Sequence, residues 1–500
     1  MLLLAKCPKK SIHLASNKPA DMDRKMIIGR VEEQEILTRL LKSDRADLLA
    51  IYGRRRVGKT FLITHYYAQN LRFYCSGQLE GNLQVQLYNF KEQLEAHFPN
   101  EALHLPKNWQ EAFSLLRKCL DGLQGPDKKV LFFDELPWLD THRSGFLSAF
   151  GYFWNVYASQ RRDLLVVICG SAASWMIRKV VNNKGGLHNR ITQRIRLMPF
   201  SLHETEAYLR AKNIHFNRYQ LLQLYMTIGG IPHYLNAVQR GLSVQQVIEQ
   251  NCFQKDGVLY HEFNNLYQAL FNNATTHIAL IRALASRPMG LTRAQLLEIS
   301  GLDTGGGVTS ALDELEESGF IIRLHPFGKK LKDTLFRLAD EYSYFYLRFI
   351  EHKTVAEQGQ WIARSQTPAY RSWCGYAFEN CCIRHIKQIK RALGISGIVT
   401  TQSSWYTSGS SINAGAQIDL LIDRADQTIN LCEMKFSEQP FAITKSYAAI
   451  LQQKILAFKQ YTQTRKNTQL TLVTTYGVVD NPYRQQLIDS EVNMDLFFID

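Results

Sequence analysis

Long hydrophobic runs are missing from this sequence. None approaches the ~20 apolar residues that a helix needs to cross a bilayer. The apolar string at positions 1–5 is too short for the core of a signal peptide, and its lysines follow the string instead of preceding it. These absences argue against a membrane protein and a secreted one. We therefore expect a cytoplasmic protein without a membrane partner.

Metal-site spacing is missing among the cysteines. No CxxC pair and no cysteine–histidine pair has the spacing of a zinc site, and the nine cysteines are scattered along the chain. Several lie in strongly apolar strings such as LLVVICG. The cysteines are therefore predicted to be small buried side chains in a reducing compartment. The sequence also has no internal repeat and no low-complexity tract.

Acidic residues are in short supply. The 500 residues include 45 Asp and Glu against 59 Lys and Arg, a net charge of +14 that points to a polyanionic partner. The hydrophobic share of 45% and the charged share of 21% are typical of a globular chain and exclude a disordered one. A chain of this length suits about three domains.

Apolar strings alternate with helical segments between residues 26 and 200, after a leader at 1–25 that is predicted to be disordered. Continuous apolar strands separated by helices indicate an α/β fold with a parallel sheet covered on both faces. Buried strands are predicted at 48–53, 71–77, 129–135 and 164–170. Helices are predicted at 59–69, 83–97, 109–121 and 144–158.

Three further units are predicted after this core. Residues 201–273 have an all-helical pattern. Residues 274–355 have the order helix, helix, glycine turn, helix and two strands, which is the outline of a winged helix. The last unit, 365–500, is a second α/β domain. Its predicted elements are a helix at 370–393, strands at 417–423 and 429–436, a helix at 443–463 and a strand at 470–475.

A phosphate-binding motif follows the first predicted strand. The string GRRRVGKT matches the pattern GxxxxGK[ST] in full, between an apolar strand and a helix. In such a loop the backbone N–H groups wrap the phosphates, and the positive end of the helix dipole faces them. Lys59 is predicted to reach the β- and γ-phosphates, and Thr60 to hold Mg²⁺. The predicted nucleotide-binding residues are Gly53, Arg54, Arg55, Arg56, Val57, Gly58, Lys59 and Thr60.

Two acidic residues end the third predicted strand. Asp134 and Glu135 directly follow the apolar string VLFF, which is predicted to be buried. Burying a carboxylate costs free energy unless it binds a metal or a polar network. Asp134 is predicted to join the Mg²⁺ shell, and Glu135 to orient and deprotonate the attacking water. Ser171 ends the next strand, where it either senses the γ-phosphate, positions that water, or is an ordinary serine.

Together these motifs resemble those of P-loop ATPases of the AAA+/STAND group, specifically the archaeal-type ATPases. The resemblance also rests on IIGRVEEQEIL, GSAASWM, IRLMPFSLHE and GGIPHYL, and it spans about residues 26–350, with a characteristic tail beyond them. It implies ATP and Mg²⁺ as cofactors. It also implies a helical lid over 201–273 in which Pro232 lies near the adenine. The alternative for Pro232 is a plain helix break.

A stretch rich in basic residues and free of acids follows the fourth strand. The resemblance places one of its members, Arg190, near the nucleotide or a neighbouring subunit, and an arginine acting in trans would require a homo-oligomer. The alternative is a solvated or polyanion-binding surface. The basic residues are Arg178, Lys179, Lys184, Arg190, Arg194 and Arg196.

The C-terminal unit carries acids on two neighbouring predicted strands. If its first two strands form a hairpin, Asp419 meets Glu433, and two adjacent carboxylates repel unless a divalent cation lies between them. Lys435 would steady the attacking water or the pentavalent phosphate, and Glu379 would add a further acid from the preceding helix.

The order of elements and these four residues resemble the PD-(D/E)xK nuclease fold, so the last unit is predicted to be restriction-endonuclease-like. The sequence departs from that motif at Gln417-Ile418, where the family name has proline. Two alternatives stay open, namely a surface Glu–Lys pair beside an incidental aspartate, and a nuclease-shaped fold without activity.

The predicted winged helix has a recognition helix of the wrong charge for DNA. Residues 308–318 contain four acids, which repel phosphates, although the following wing is basic. A role as a regulatory lid or a protein contact is therefore an alternative to sequence-specific DNA binding by this helix. The acids are Asp313, Glu314, Glu316 and Glu317, and the wing lysines are Lys329, Lys330 and Lys332.

Two functions follow from the sequence. The first is an ATP- and Mg²⁺-dependent ATPase coupled to a metal-dependent nuclease domain that acts on DNA. The second is a nucleotide switch, in which ATP changes the contacts of the winged helix and the C-terminal domain is catalytically inactive.

Overall fold

The structure is a computed structural model that describes residues 24, 26–181, 187, 189–271, 273–351, 360–407 and 415–499. The predicted leader lies outside these residues except for Arg24. Across the described ranges no helix is long and apolar enough to cross a membrane. The eight cysteines within them are buried and free, as the sequence predicted.

The core of the chain is a five-stranded parallel sheet in the order β2-β3-β4-β1-β5. Side chains alternate between its faces, so Leu49 and Ile51 join one hydrophobic cluster while Leu48 and Ala50 join the other. This confirms the predicted α/β fold class with a P-loop sheet. The strands are β1 (Asp47–Tyr52), β2 (Leu71–Ser76), β3 (Lys129–Asp134), β4 (Leu164–Gly170) and β5 (Gln193–Arg196).

Helices cover both faces of this sheet. Asparagine side chains begin two of them, because Asn82 and Asn108 accept hydrogen bonds from the free N–H groups of the first turn. A π-helix, Met176–Val181, follows the last of them. The helices are α1 (Val31–Leu41), α2 (Lys59–Tyr66), α3 (Leu83–His97), α4 (Trp109–Asp121), α5 (Leu136–Leu139), α6 (Phe146–Val156) and α7 (Ala173–Trp175).

The next segment is helical, as predicted. Ser201 with Glu204, and Asn217 with Gln220, form capping boxes that fix where two of its helices begin. The helices are α8 (Leu202–Ala211), α9 (Arg218–Ile228), α10 (Pro232–Asn236), α11 (Val244–Ile248) and α12 (Glu262–Leu270).

A small antiparallel sheet in the order β6-β8-β7 follows, flanked by helices. Its elements occur in the order that the sequence predicted for a winged helix, and that assignment stays a prediction. They are α13 (Ala274–Ser286), β6 (Leu291–Thr292), α14 (Arg293–Ser300), α15 (Gly306–Glu317), β7 (Ile321–Leu324), β8 (Leu335–Leu338) and α16 (Glu341–Phe349).

The C-terminal unit contains a five-stranded mixed sheet in the order β13-β12-β11-β10-β9. Strands β9 to β11 are antiparallel, and β11 to β13 are parallel. Its elements are α17 (Gln360–Arg364), α18 (Pro368–Arg384), α19 (Ile386–Ala392), β9 (Thr400–Thr407), β10 (Ala416–Arg424), β11 (Thr428–Lys435), α20 (Lys445–Thr462), β12 (Asn467–Thr474), α21 (Pro482–Leu487) and β13 (Ser490–Asn493).

The helix predicted at 370–393 is interrupted. It consists of α18 and α19, with the break at His385. The buried His385 ring accepts a hydrogen bond from the Leu202 N–H at 3.0 Å through Nε2 and donates to the Cys381 carbonyl at 2.8 Å through Nδ1. The break therefore ties the C-terminal unit to the start of α8.

Candidate functional site

The loop between β1 and α2 has the backbone that a phosphate-binding loop requires. Gly53 has φ 145° and Gly58 has φ 91°, a region that favours glycine. A Cβ at Gly53 would lie 2.4 Å from the Leu197 carbonyl oxygen, so no other residue fits there. Lys59 is the first residue of α2, which directs the free N–H groups of that helix toward the loop.

Lys59 closes this loop on itself. Its buried ammonium donates to the carbonyl oxygens of Gly53 and Arg54, both at 2.9 Å, and to Ser171 Oγ at 3.0 Å. The charge is therefore held over the loop by oxygen atoms alone. A phosphate oxygen can take the place of these acceptors.

The carboxyl ends of β1, β3 and β4 meet at one edge of the sheet, since the three strands are parallel neighbours. Thr60 Oγ1 donates to Asp134 Oδ2 at 2.6 Å. The Glu135 carboxylate accepts from Ser171 Oγ at 2.6 Å and from the Ser171 N–H at 3.1 Å. Ser171 thus bridges Lys59 and Glu135, a link that the sequence did not predict.

A cavity of about 640 Å³ opens above this edge. Arg55, Arg56, Val57, Gly58, Lys59, Thr60, Glu135 and Ser171 line its polar side. Ile27, Phe200, Tyr208 and Pro232 contribute a hydrophobic and aromatic wall of the kind that accommodates a nucleobase.

Pro232 begins α10, and the preceding turn is held tightly. A Cβ at Gly230 would lie 2.0 Å from the Phe200 carbonyl oxygen, and the Phe200 N–H donates to the Gly230 carbonyl at 2.7 Å. The turn before Pro232 and the residue Phe200 are therefore fixed relative to each other.

Arg30 is a residue of this site that the sequence analysis did not single out, although it lies in the quoted string IIGR. Its buried guanidinium donates to the Met198 carbonyl at 2.7 Å and to the Val57 carbonyl at 3.1 Å, and it lies 4.5 Å from the Phe200 ring centroid. Burial lowers the pKa of Arg30, although Glu204 and Glu33 nearby raise it. Arg30 thus joins the phosphate loop to the hydrophobic wall.

The three arginines of the loop have different surroundings. The Arg54 side chain is buried and forms an ion pair with Asp340, which directs it away from the cavity. Arg56 pairs with Glu262 at 2.6 Å. Arg55 lies 5.5 Å from the Trp138 ring centroid. The acidic partners in the later segments carried no signal in the sequence.

The acidic helix α15 contacts the basic stretch of the core. Arg178 pairs with Glu314 at 3.0 Å, and Arg196 donates to the carbonyl oxygens of Glu316 and Glu317 at 2.6 and 2.9 Å. Arg323 pairs with two further acids of this helix, Asp313 and Glu316.

Arg190, in the same basic stretch, is exposed and does not line the cavity. Lys184 lies outside the described residues.

The predicted hairpin of the C-terminal unit is present. Leu420 pairs with Cys432 in antiparallel register, and the next step of that register brings Asp419 opposite Glu433. Asp419 Oδ2 accepts from the Met434 N–H at 2.9 Å.

The C-terminal acids have cationic partners. Both oxygens of the buried Glu433 carboxylate accept from Lys454 Nζ at 2.7 Å, whereas Lys435 Nζ is 3.8 Å away. Glu379 pairs with Arg337 at 2.9 Å. Within the described residues, no three His, Cys, Asp or Glu side chains are grouped so that they could share a metal ion.

Burial raises the pKa of both Glu379 and Glu433, and the negative charge of Asp419 raises each further. Arg337 acts in the opposite direction on Glu379, as Lys454 and Lys435 do on Glu433. The three acids therefore interact electrostatically. The alternation of side chains along the strands predicted that Asp419 meets Glu433, whereas nothing in the sequence indicated Lys454 or Arg337 as partners.

Comparisons with known proteins agree with this geometry. Residues 27–238 match the family model described as an ATPase domain predominantly from Archaea. The uncharacterized protein MJECL04 of Methanocaldococcus jannaschii is 24% identical over 417 residues, which cover 83% of this chain and 88% of that protein. The uncharacterized ATP-binding protein MJ0423 of the same organism is 49% identical over 41 residues, 8% of this chain and 70% of that protein.

A solved structure shares the fold. The Walker-type ATPase PABY2304 of Pyrococcus abyssi has a TM-score of 0.51 and 18% identity, over 65% of this chain and 97% of that one. The chain therefore carries, over residues 27–238, an ATPase domain of the archaeal type on a P-loop fold.

Proposed function

We propose that this protein binds ATP with Mg²⁺, hydrolyses ATP, and transmits its nucleotide state to the helical segment and the predicted winged helix. The observation that carries the proposal is the convergence of Lys59, Thr60, Asp134, Glu135 and Ser171 at one sheet edge. The adjoining cavity of about 640 Å³ has a polar and a hydrophobic side, as a nucleotide requires.

The donor set at this edge fits Mg²⁺, which prefers oxygen ligands and binds in nucleotide sites through one or two protein side chains. Thr60 and Asp134, whose oxygens are 2.6 Å apart, would hold it. When bound, the ion neutralises charge on the phosphate oxygens.

Glu135 is the residue proposed to act as general base. Its carboxylate lines the cavity and is oriented through the two hydrogen bonds from Ser171. It can accept a proton from a water molecule, and the Lys59 ammonium can stabilise negative charge on the phosphates.

The arginines of the loop support the transmission of the nucleotide state. The backbone of the loop wraps the phosphates, while Arg54 and Arg56 pair with Asp340 and Glu262 in the segments that follow the core. A conformational change of the phosphate loop on ATP binding would thus be transmitted through these two ion pairs to the segments that contain Asp340 and Glu262.

Replacing Lys59 with alanine is expected to weaken ATP binding about 10- to 100-fold, since a hydrogen bond to a charged group contributes roughly 1.5–3 kcal/mol. Isothermal titration calorimetry with ATP and Mg²⁺ measures the change. Lys107→Ala, at an exposed lysine of the same core, is the matched control and should keep the wild-type affinity. Equal affinity of the Lys59 variant and wild type would exclude this loop as the nucleotide site.

A metal-dependent nuclease that acts on DNA in the cytoplasm is the second candidate function. Support for it comes from the mixed C-terminal sheet and from the register that sets Asp419 opposite Glu433. The bidentate contact between Glu433 and Lys454 favours a structural role for Glu433 instead. A metal would have to displace that lysine.

The nuclease candidate is tested with the full chain, plasmid DNA, and Mg²⁺ or Mn²⁺. Asp419→Asn is expected to lower cleavage at least ~10-fold, because it removes a carboxylate that a metal site needs. Asp423→Asn, four residues along the same strand, is the control and should cleave as wild type does. No cleavage by wild type, or equal cleavage by both variants, would leave the ATP switch as the function.

A further inference from the structure

Three of the segments that contain no acidic residue belong to the predicted winged helix and the C-terminal unit. They are 318–332, 380–418 and 439–479, and each carries several Lys or Arg. The first covers most of the turn between β7 and β8. We call residues 325–334 the wing loop, which extends past this segment by Asp333 and Thr334. The second includes β9, and the third includes α20.

The structure brings these three segments together. The wing loop pairs with the edge strand β9, where Pro326 and Ser404 form a bridge and the Phe327 N–H donates to the Ser404 carbonyl at 2.8 Å. Phe327 also packs on Phe458 of α20, with ring centroids 5.5 Å apart. The wing loop is thus anchored to the C-terminal unit by both its backbone and its side chains.

The anchored wing loop presents cations to solvent. Lys329, Lys330 and Lys332 are exposed, and Leu331 between them is 80% exposed. Lys329 Nζ lies 3.6 Å from the centroid of the Tyr406 ring in β9. Asp333, the acid of this loop, accepts a hydrogen bond from the Lys330 backbone N–H at 3.2 Å, so its carboxylate is directed toward the backbone of the loop.

Helix α15 of the same unit does not suit a polyanion in this arrangement. Helix α15 carries acids, and it is held against the core through Arg178 and Arg196. For α15 to read the sequence of a nucleic acid, these contacts would have to break. The negatively charged phosphates would also have to approach the acidic side chains of the helix.

We propose that the wing loop and β9 together form a nucleic-acid contact face, which binds the phosphate backbone without reading sequence. Charge complementarity commits the face to this partner, because exposed lysines that neutralise phosphates release counterions from the nucleic acid. The wing loop carries three such lysines against one acid, Asp333. Tyr406 adds a ring beside the lysines on which a base or sugar can pack. The inference shares only the class of partner with the proposed nuclease, and it does not depend on ATP.

The test is fluorescence anisotropy of a labelled DNA duplex of arbitrary sequence, titrated with the full chain over a range of salt, with EDTA and without nucleotide. The triple variant Lys329→Gln, Lys330→Gln and Lys332→Gln is expected to bind at least ~10-fold more weakly. The slope of log K against log salt should fall by roughly 2–3, since each phosphate contact contributes about 0.9. Lys42→Gln, Lys107→Gln and Lys118→Gln together remove the same charge from exposed core lysines and should change neither quantity.

A second variant separates contact from folding. Lys330→Gln with Lys332→Gln keeps the contact between Lys329 and Tyr406, and it should lose part of the affinity at an unchanged melting temperature. Equal losses of DNA affinity in the wing-loop and core variants would show that only the net charge of the protein matters, and would overturn the proposal. Wild-type binding to phosphatidylserine vesicles but not to duplex, single-stranded DNA or RNA would overturn it as well. Since no nucleotide is present, these outcomes leave the ATPase proposal untouched.

Discussion

Replacing Glu135 with glutamine is expected to slow ATP turnover by about 100- to 10,000-fold, the range that a positioned general base contributes. Glutamine keeps the size of the side chain and an acceptor for the Ser171 hydroxyl, but it cannot take a proton from water. ATP binding should persist, because Lys59 and the glycines of the loop are unchanged. Steady-state phosphate release measures turnover, and calorimetry measures binding in the same variant.

Asp140→Asn is the matched control for this prediction. Asp140 is a second carboxylate five residues after Glu135, at the other end of α5, and it lines the neighbouring cavity together with Glu135. Its variant should turn over ATP at close to the wild-type rate. Wild-type turnover in Glu135→Gln would assign the base to another residue, whereas loss of both binding and turnover would show that glutamine disturbs the loop.

The local parts of this site were predictable. The phosphate loop is a contiguous motif, and Asp134 ends a strand whose six residues are all buried, with Glu135 directly after it. Parallel strands that are buried on both faces are apolar along their whole length, so the sequence also indicated β1 and β4. The edge strand β2, in which buried and half-buried residues alternate, was predicted as well. Asp419 and Glu433 were predicted to meet because the alternation of side chains along strands fixes which residues share a hairpin position.

The edge strands β5 and β9 were missed, because neither has an apolar run. In β5, Ile195 is the one buried residue among four, so no apolar run exists. In β9, polar residues dominate the string TTQSSWYT, which the wing loop and β10 hold in place by backbone pairing. Such strands are specified by their neighbours in the sheet and not by their own composition.

Polar partners that are far apart in the sequence could not be predicted from it either. Arg54 and Asp340 are 286 positions apart, and His385 accepts from the Leu202 N–H, 183 positions away. Lys454 lies 21 positions after Glu433, on a helix whose docking the motif does not describe. These contacts determine whether the acids are free to bind a metal or a substrate. Neither the periodicity of the sequence nor the spacing of its motifs indicates them.

Breaking the ion pair between Arg54 and Asp340 is expected to destabilise the protein by about 3–5 kcal/mol, the cost of leaving one buried charge without its partner. Both side chains are buried, and Arg54 also lies 4.6 Å from the Phe320 ring centroid. Burial by itself would raise the pKa of Asp340, but the charge of Arg54 and hydrogen bonds from Ser343 and Arg54 lower it further than burial raises it. Asp340 is therefore ionised in the folded protein.

Asp340→Asn removes the charge and keeps the cap of α16, since an asparagine oxygen can still accept from the Ser343 N–H, now 2.8 Å from Asp340 Oδ2. The free energy of unfolding is measured in guanidinium chloride by tryptophan fluorescence. Adding Arg54→Met should restore most of the loss, because no unpaired charge is then buried.

The exposed pair of Asp313 with Arg323 is the control for this experiment. Solvent screens it, so Asp313→Asn should cost at most about 1 kcal/mol. Equal losses at Asp340 and Asp313 would mean that the phosphate loop is not fastened to α16 by charge. A loss at Asp340 that Arg54→Met fails to restore would assign the effect to the packing of α16. The expected pattern, a large loss that the second substitution restores, would establish the physical link through which the loop can act on the segments beyond the ATPase domain.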